Sequence, residues 1–252
     1  AGVIEPPEQD ENLASVEDLF IPGPEKEIPL RLYRPHDTHA PLLVFFHGGG
    51  FCLESLESYD GLCRALATML PCVVLSVDYR LAPENPFPAA VLDAEAGLRW
   101  ALEHAESLGA DPARCAVGGD SAGGNLATVT ARRVCRSGGG KSLKIQWLAY
   151  PVVDFSNHDR PSHRLYGDCQ ALSVPEARWY RNHYLPDESS YSHEDASPLL
   201  AENLEGLPPA LITTAEIDIL RDEAEAYGEG LKRCGVEVDY RCYSGLPHAF
   251  LG

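Results

Sequence analysis

Residues 114–125 read RCAVGGDSAGGN and constrain the chain more than any other stretch. Gly119, Asp120, Ser121, Ala122 and Gly123 form a G-x-S-x-G motif. A short apolar run, Cys115-Ala116-Val117, precedes it, bounded by Asp111-Pro112 and Gly118, and a helical pattern follows from Ala122 to about Arg136. A strand that turns sharply into a helix lifts the central serine clear of a sheet. Gly119 and Gly123 permit the close backbone approach that such a turn needs. The helix N-terminus behind the serine favours developing negative charge. The pentapeptide alone arises by accident in roughly one chain in ten of this length. Its setting, strand before and helix after, is what separates it from an ordinary glycine-rich turn.

The flanking segments read as α/β. Leu42–Phe46 is apolar throughout, the mark of a strand buried on both faces, and Cys72–Val77 is another. Val16–Ile21 and Ile28–Arg34 are short strands separated by the turn-rich Pro22-Gly23-Pro24-Glu25. Helical spacing covers Ser58–Leu70, Ala89–Leu108 (stopped by Gly109) and Asp222–Cys234 (stopped by Gly235). Ile145–Tyr150, Ala210–Ala215 and Val236–Tyr243 complete the strands. From Leu42 onward strands alternate with helices, which predicts a mostly parallel sheet covered on both faces with an antiparallel start. The expected organisation is a single domain over 1–252. Within it, residues 1–14 are expected to be disordered or loosely docked. Residues 156–200, polar and aromatic, are expected to form an inserted cap with a helix over Pro175–Tyr184.

At 252 residues the chain can bury a substantial core. No apolar run approaches the roughly 20 residues needed to span a bilayer, so no stable membrane insertion is expected. The acidic opening, AGVIEPPEQDEN, is the opposite of a signal peptide. The single Met is Met69, so the first residue is not expected to be the translation start. A net charge of −18 repels nucleic-acid phosphates and anionic membranes. The eight Cys are scattered without a C-x-x-C pair, and most lie in apolar segments. Reduced thiols in a cytoplasmic protein are the expectation, rather than a disulfide framework. No His and Cys spacing suits a metal, and no cofactor is expected.

A serine hydroxyl needs a base to take its proton, and the base needs an orienting carboxylate. In open α/β sheets such groups stand at the C-terminal ends of strands. Asp218 follows the strand Ala210–Ala215, and His248 lies in the loop after Val236–Tyr243. The order Ser121, Asp218, His248 is the order of serine, acid and histidine in α/β-hydrolases. Glu216 and Asp222 rival Asp218 for the acid, and eight other histidines exist. His47-Gly48-Gly49-Gly50 follows the first buried strand. Consecutive glycines leave backbone N–H groups free to face an oxyanion, together with the N–H of Ala122 just after the serine.

These stretches together resemble the hormone-sensitive-lipase family of α/β-hydrolase esterases, also called the HGGG or bacterial family IV esterases. The matching segments are HGGGF at 47–51, DYRLAPE at 78–84, GGDSAGGN at 118–125, LPPA at 207–210, AEIDILRDEAEAY at 215–227 and PHAF at 247–250. The resemblance implies an eight-stranded, mostly parallel sheet with helices and a helical cap. It implies that Ser121 attacks, that His248 acts as base and then acid, and that Asp218 orients His248. The N–H groups of Gly49, Gly50 and Ala122 then bind the oxyanion, while Gly48 shapes the turn, and Tyr79, Arg80 and Glu84 serve as scaffold.

Family members usually carry further N-terminal helices and a final helix after the histidine. Here about 15 residues precede the first strand and four follow His248. A longer parent chain would account for both, and a chain ending here would leave the acyl pocket open. Cys52 also stands where an aliphatic residue is expected. The implied activity is hydrolysis of short-to-medium acyl esters through an acyl-enzyme, with a small-molecule ester as partner and a homodimer through edge strands as a family habit. The alternatives are an amidase or lactonase using the same triad, and a ligand receptor on the same scaffold. Plant gibberellin receptors resemble the family but lack the histidine that this chain has at 248.

Overall fold

A computed structural model describes residues 11–251. Eight strands form one sheet: β1 (Ser15–Ile21), β2 (Ile28–Arg34), β3 (Ala40–Phe46), β4 (Val73–Val77), β5 (Ala110–Asp120), β6 (Leu143–Ala149), β7 (Ala210–Ile217) and β8 (Val238–Pro247). Their order across the sheet is β1-β2-β4-β3-β5-β6-β7-β8. β1 and β2 run antiparallel and β2 meets β4 antiparallel; every later pairing is parallel.

Successive residues of a strand face opposite sides of a sheet, and β3 shows both sides filled. Leu42, Val44 and Phe46 join Leu75, Val77, Leu98, Leu126 and Ile212 in the larger core. Leu43 and Phe45 join Tyr33, Val74, Cys63 and Ala67 in a smaller core on the other face. The larger core belongs to the helices α2 (Ala89–His104), α3 (Ala122–Arg136) and α6 (Arg221–Arg233), the smaller to α1 (Asp60–Met69). On the small-core side the buried Arg31 of β2 pairs with Asp18, Glu57 and Asp60, tying β1 and the approach to α1 onto the sheet.

The expected elements are present, with shifted ends. α2 stops at His104, and Gly109 closes the following turn in the left-handed region at φ +86°. β5 starts at Ala110, so Asp111 and Pro112 lie inside the strand. Its pairing with β3 is irregular there, which lets the edge-tolerant proline in. β7 runs through Ile217 and β8 through Pro247, so His248 stands directly off a strand rather than within a long loop. Of the segment 1–14, residues 1–10 lie outside the described residues. Residues 11–14 correct the expectation of loose packing: Leu13 is buried and the Ala14 N–H bonds the Arg34 carbonyl at 2.9 Å. Between β6 and β7, α4 (Pro161–Tyr166) and α5 (Val174–Tyr184) rise over the C-terminal ends of the strands. The α5 helix opens with Ser173 and Glu176 in a reciprocal capping box. Its Tyr184 stacks on Phe51 with ring centroids 3.7 Å apart.

Candidate active site

Parallel strands end on one edge of the sheet, and four such ends meet here. Phe46 of β3 leads into His47–Gly50, Asp120 of β5 into Ser121, Ile217 of β7 into Asp218, and Pro247 of β8 into His248. Ser121 holds φ +53° and ψ −116°, a conformation that costs a non-glycine residue roughly 1–3 kcal/mol. The turn is held by its neighbours: the Ser121 N–H donates to the Ala149 carbonyl at 2.8 Å, and the Ser121 carbonyl accepts from Asn125 N–H at 3.2 Å. Gly123 is required by contact as well as by turning. A Cβ there would lie 1.9 Å from the Phe46 carbonyl oxygen and 2.5 Å from that of His47.

His248 Nε2 lies 3.0 Å from Ser121 Oγ, and His248 Nδ1 lies 2.7 Å from Asp218 Oδ2. Asp218 is 1% exposed and His248 8%. The second carboxylate oxygen of Asp218 accepts the Leu220 N–H at 2.9 Å, which fixes the carboxylate plane. Tyr150 packs edge-on against the imidazole, centroids 4.9 Å apart, and Phe250 packs against Tyr150 in turn. The rival acids are committed elsewhere. Glu216 accepts from the Ser244 hydroxyl and the Gly245 N–H, and Asp222 from the Ser162 N–H and Arg221. Three residues up to 127 positions apart in sequence thus form one hydrogen-bonded line.

Beside the serine, Gly49 and Gly50 adopt φ +87° and +60°. Among the described residues nothing accepts the N–H groups of Gly49, Gly50 or Ala122. The Gly48 N–H is engaged: it donates to the Tyr59 hydroxyl at 3.0 Å. His47 is fully buried and stacks on Tyr79, centroids 4.3 Å apart. Burial pushes its imidazole down to about 4, so it is neutral at working pH. The Tyr79 hydroxyl donates toward the His47 and Gly48 carbonyls at 2.8 and 3.1 Å. Arg80, next along, forms a buried two-pronged ion pair with Asp93 of α2. The 78–84 segment therefore buttresses the glycine loop from below.

A cavity of about 270 Å³ opens on Ser121 and His248. Gly49, Gly50, Phe51, Val152, Phe155 and Leu220 line it, with Leu172, Ala177 and Tyr180 from α5 and its approach. The Tyr180 ring sits so close over Gly50 that a Cβ there would lie 2.4 Å from it. Glu54, Asp120 and Glu176 also line the cavity, and among the described residues its lining includes no lysine or arginine. A separate cleft of about 620 Å³ runs along α4 past His158, His163 and Tyr166, away from Ser121.

Every residue expected at the site from the sequence is brought together: Ser121, Asp218 and His248 in line, Gly49, Gly50 and Ala122 beside them. Sequence reasoning missed Tyr59, Tyr150 and the buried carboxyl of Asp120. Asp120 was visible inside the G-x-S-x-G motif, but nothing in the sequence marked Tyr59 as its partner.

Comparison with known proteins adds the following. A family model described as alpha/beta hydrolase fold matches residues 43–252. The chain is similar to the carboxylic ester hydrolase LipN of Mycobacterium tuberculosis, with 50% identity over 242 residues, covering 94% of this chain and 64% of LipN. It is 40% identical over 230 residues to the carboxylesterase NlhH of the same organism, covering 89% of this chain and 72% of NlhH. A hyperthermophilic esterase from Pyrobaculum calidifontis superposes with a TM-score of 0.91 at 43% identity, covering 94% of this chain and 78% of that one. The chain thus spans a little under two thirds of the length of LipN.

Proposed function

This chain belongs to the α/β-hydrolase family that includes the hormone-sensitive-lipase-like esterases, and from that membership we propose that it is a serine carboxylesterase acting on short-to-medium acyl esters. The observation that supports this most is the line from Ser121 Oγ through the His248 ring to Asp218, at 3.0 and 2.7 Å. In the reaction Ser121 Oγ attacks the ester carbonyl carbon while its proton passes to His248 Nε2. The carbonyl oxygen becomes an oxyanion facing the N–H groups of Gly49, Gly50 and Ala122. A single such donor is worth about 2.7–4 kcal/mol of barrier. Asp218 holds the Nδ1 proton and stabilises the imidazolium. The intermediate collapses as the C–O bond to the alcohol breaks and His248 gives its proton to the leaving oxygen. Water then repeats the sequence on the acyl-enzyme: His248 takes its proton, hydroxide adds to the acyl carbon, and Ser121 departs with the proton returned.

The cavity's modest volume and apolar walls suit a short acyl chain, and its three carboxylates disfavour anionic substrates. Residues 156–200 act as the cap, since α5 supplies one wall of the cavity. Among the described residues no helix is long and apolar enough to cross a membrane. The eight free cysteines support a reducing, cytoplasmic setting. Assembly as a homodimer belongs to the same reading, with the exposed edge strand β8 as its seat, and light scattering after gel filtration decides it. The test of the activity is hydrolysis of p-nitrophenyl butyrate by the wild type and by Ser121→Ala. The variant should fold and lose turnover; undiminished turnover would overturn the assignment.

A further inference from the structure

We propose that Asp120 is a positioning residue of this site: through the Tyr59 hydroxyl it fixes the Gly48–Gly50 loop, and its negative charge sustains the imidazolium of His248. The inference rests on the reading of Ser121 and His248 given above.

The geometry of the link allows one polarity. The Gly48 N–H can only donate, so the Tyr59 oxygen accepts it at 3.0 Å. The single Tyr59 proton is then directed to Asp120 Oδ2 at 2.9 Å. A proton chain therefore runs from Gly48 through Tyr59 to the carboxylate, and its last bond is strongest when the carboxylate is ionised. The packing is tight as well as bonded. A Cβ on Gly48 would lie 2.7 Å from Asp120 Oδ2 and 2.8 Å from the Tyr59 oxygen. Gly48 leads directly into Gly49 and Gly50, whose N–H groups face the oxyanion, so a displaced Gly48 misplaces both. Misplacement of about 1 Å at a reacting centre can cost 100-fold in rate.

Asp120 is also an immediate neighbour of the chemistry. It precedes Ser121, lines the same cavity as His248, and is 3% exposed. Its Oδ1 is buried with no hydrogen-bond partner among the described residues. Around the carboxyl stand Tyr59 and Cys63 from the α1 region, Tyr79 after β4, Tyr150 after β6 and His248 after β8. Burial raises the tyrosines and Cys63, so they stay neutral at working pH. His248 is then the neighbour whose charge appears during turnover. Burial also lifts the Asp120 carboxyl to about 6, with Tyr59 and His248 pulling the other way. The carboxylate thus loses its charge within the range where an esterase still works.

Two variants separate the link from the charge. Asp120→Asn keeps an acceptor for Tyr59 and removes the charge. Tyr59→Phe keeps the charge and cuts the link. Both are assayed for kcat and KM on p-nitrophenyl butyrate from pH 5 to 9, alongside wild type, with circular dichroism to confirm folding. In each, kcat should fall about 10- to 100-fold while KM changes less than about threefold. The acid limbs should move in opposite directions. Asp120→Asn removes a titrating group and destabilises the imidazolium, so its limb moves to lower pH. Tyr59→Phe removes a hydrogen bond to the anion, so its limb moves to higher pH. A purely structural role would lower rates without moving the limbs apart. Wild-type kcat in Asp120→Asn, or limbs that stay together, would overturn the proposal. An inactive wild type that fluorophosphonate fails to label would instead refute the esterase reading beneath it.

Discussion

Replacing Asp218 by Asn tests the hydrogen-bonded line at its buried end. The substitution keeps shape and size and exchanges one acceptor oxygen for a donor. Two orientations of the amide are available. The Leu220 N–H, 2.9 Å from Oδ1, requires an acceptor there. The amide therefore places its oxygen toward Leu220 and its NH₂ toward His248 Nδ1, which must become the acceptor. The imidazole proton moves to Nε2, the nitrogen 3.0 Å from Ser121 Oγ, and the ring can no longer take the serine proton. Reversing the amide would set two donors face to face in a site 1% exposed, at about 1–3 kcal/mol. The wrong tautomer thus dominates, and the expected loss is that of a serine triad with its acid neutralised, about 10⁴-fold in kcat. At 1.36 kcal/mol per decade this is about 5 kcal/mol of barrier. Steady-state turnover of p-nitrophenyl butyrate measures it, with circular dichroism as the check on folding. A folded Asp218→Asn variant within tenfold of wild type would refute the reasoning and place the orienting acid elsewhere.

Gly123→Ala should destabilise the fold as well as the site, because the Phe46 carbonyl oxygen 1.9 Å from the new Cβ is backbone and cannot swing away; a melting temperature lower by roughly 5–10 °C is expected by calorimetry. Burial holds the Glu223 carboxyl well above the ordinary glutamate range, although it accepts the Val153 N–H at 2.7 Å. Its folded form binds a proton more readily than its unfolded form, so its contribution to stability is greatest at low pH and is lost as pH rises. Glu223→Gln should therefore raise the melting temperature at pH 8 and change it little at pH 4.5. Burial pushes the Cys63 thiol up to about 12 and those of Cys72 and Cys115 up to about 11. Brief alkylation of native protein, read by peptide mass spectrometry, should mark the exposed Cys242 first and leave those three unmodified.

The parts of the fold legible in sequence were those where local pattern and tertiary role agree. The apolar run 42–46 is buried on both faces, as a central strand must be, and α3 spans Ala122–Arg136 as its pattern indicates. The hydrogen-bonded line of Ser121, His248 and Asp218 was legible because its members sit at strand ends, and strand ends are marked by apolar runs. Element ends were less so. Pro112 read as a boundary, yet it is carried inside β5 because the pairing with β3 is irregular between Ala40 and Leu42. His248 read as a loop residue because exposed positions make up most of β8, leaving no apolar run to extend. The Tyr59 link to Asp120 spans 61 residues and follows from how α1 seats against the glycine loop. Side-chain contacts of that kind are set by packing and leave no periodic trace in a single sequence.

The claim on which the account depends is that Ser121 alone among the serines is made nucleophilic. Stoichiometric reaction with a fluorophosphonate, followed by peptide mass spectrometry, reads this directly. The expected result is one adduct per chain, on Ser121, forming at the rate at which esterase activity disappears. Activity that survives full labelling of Ser121, or an adduct on a different residue, would contradict it.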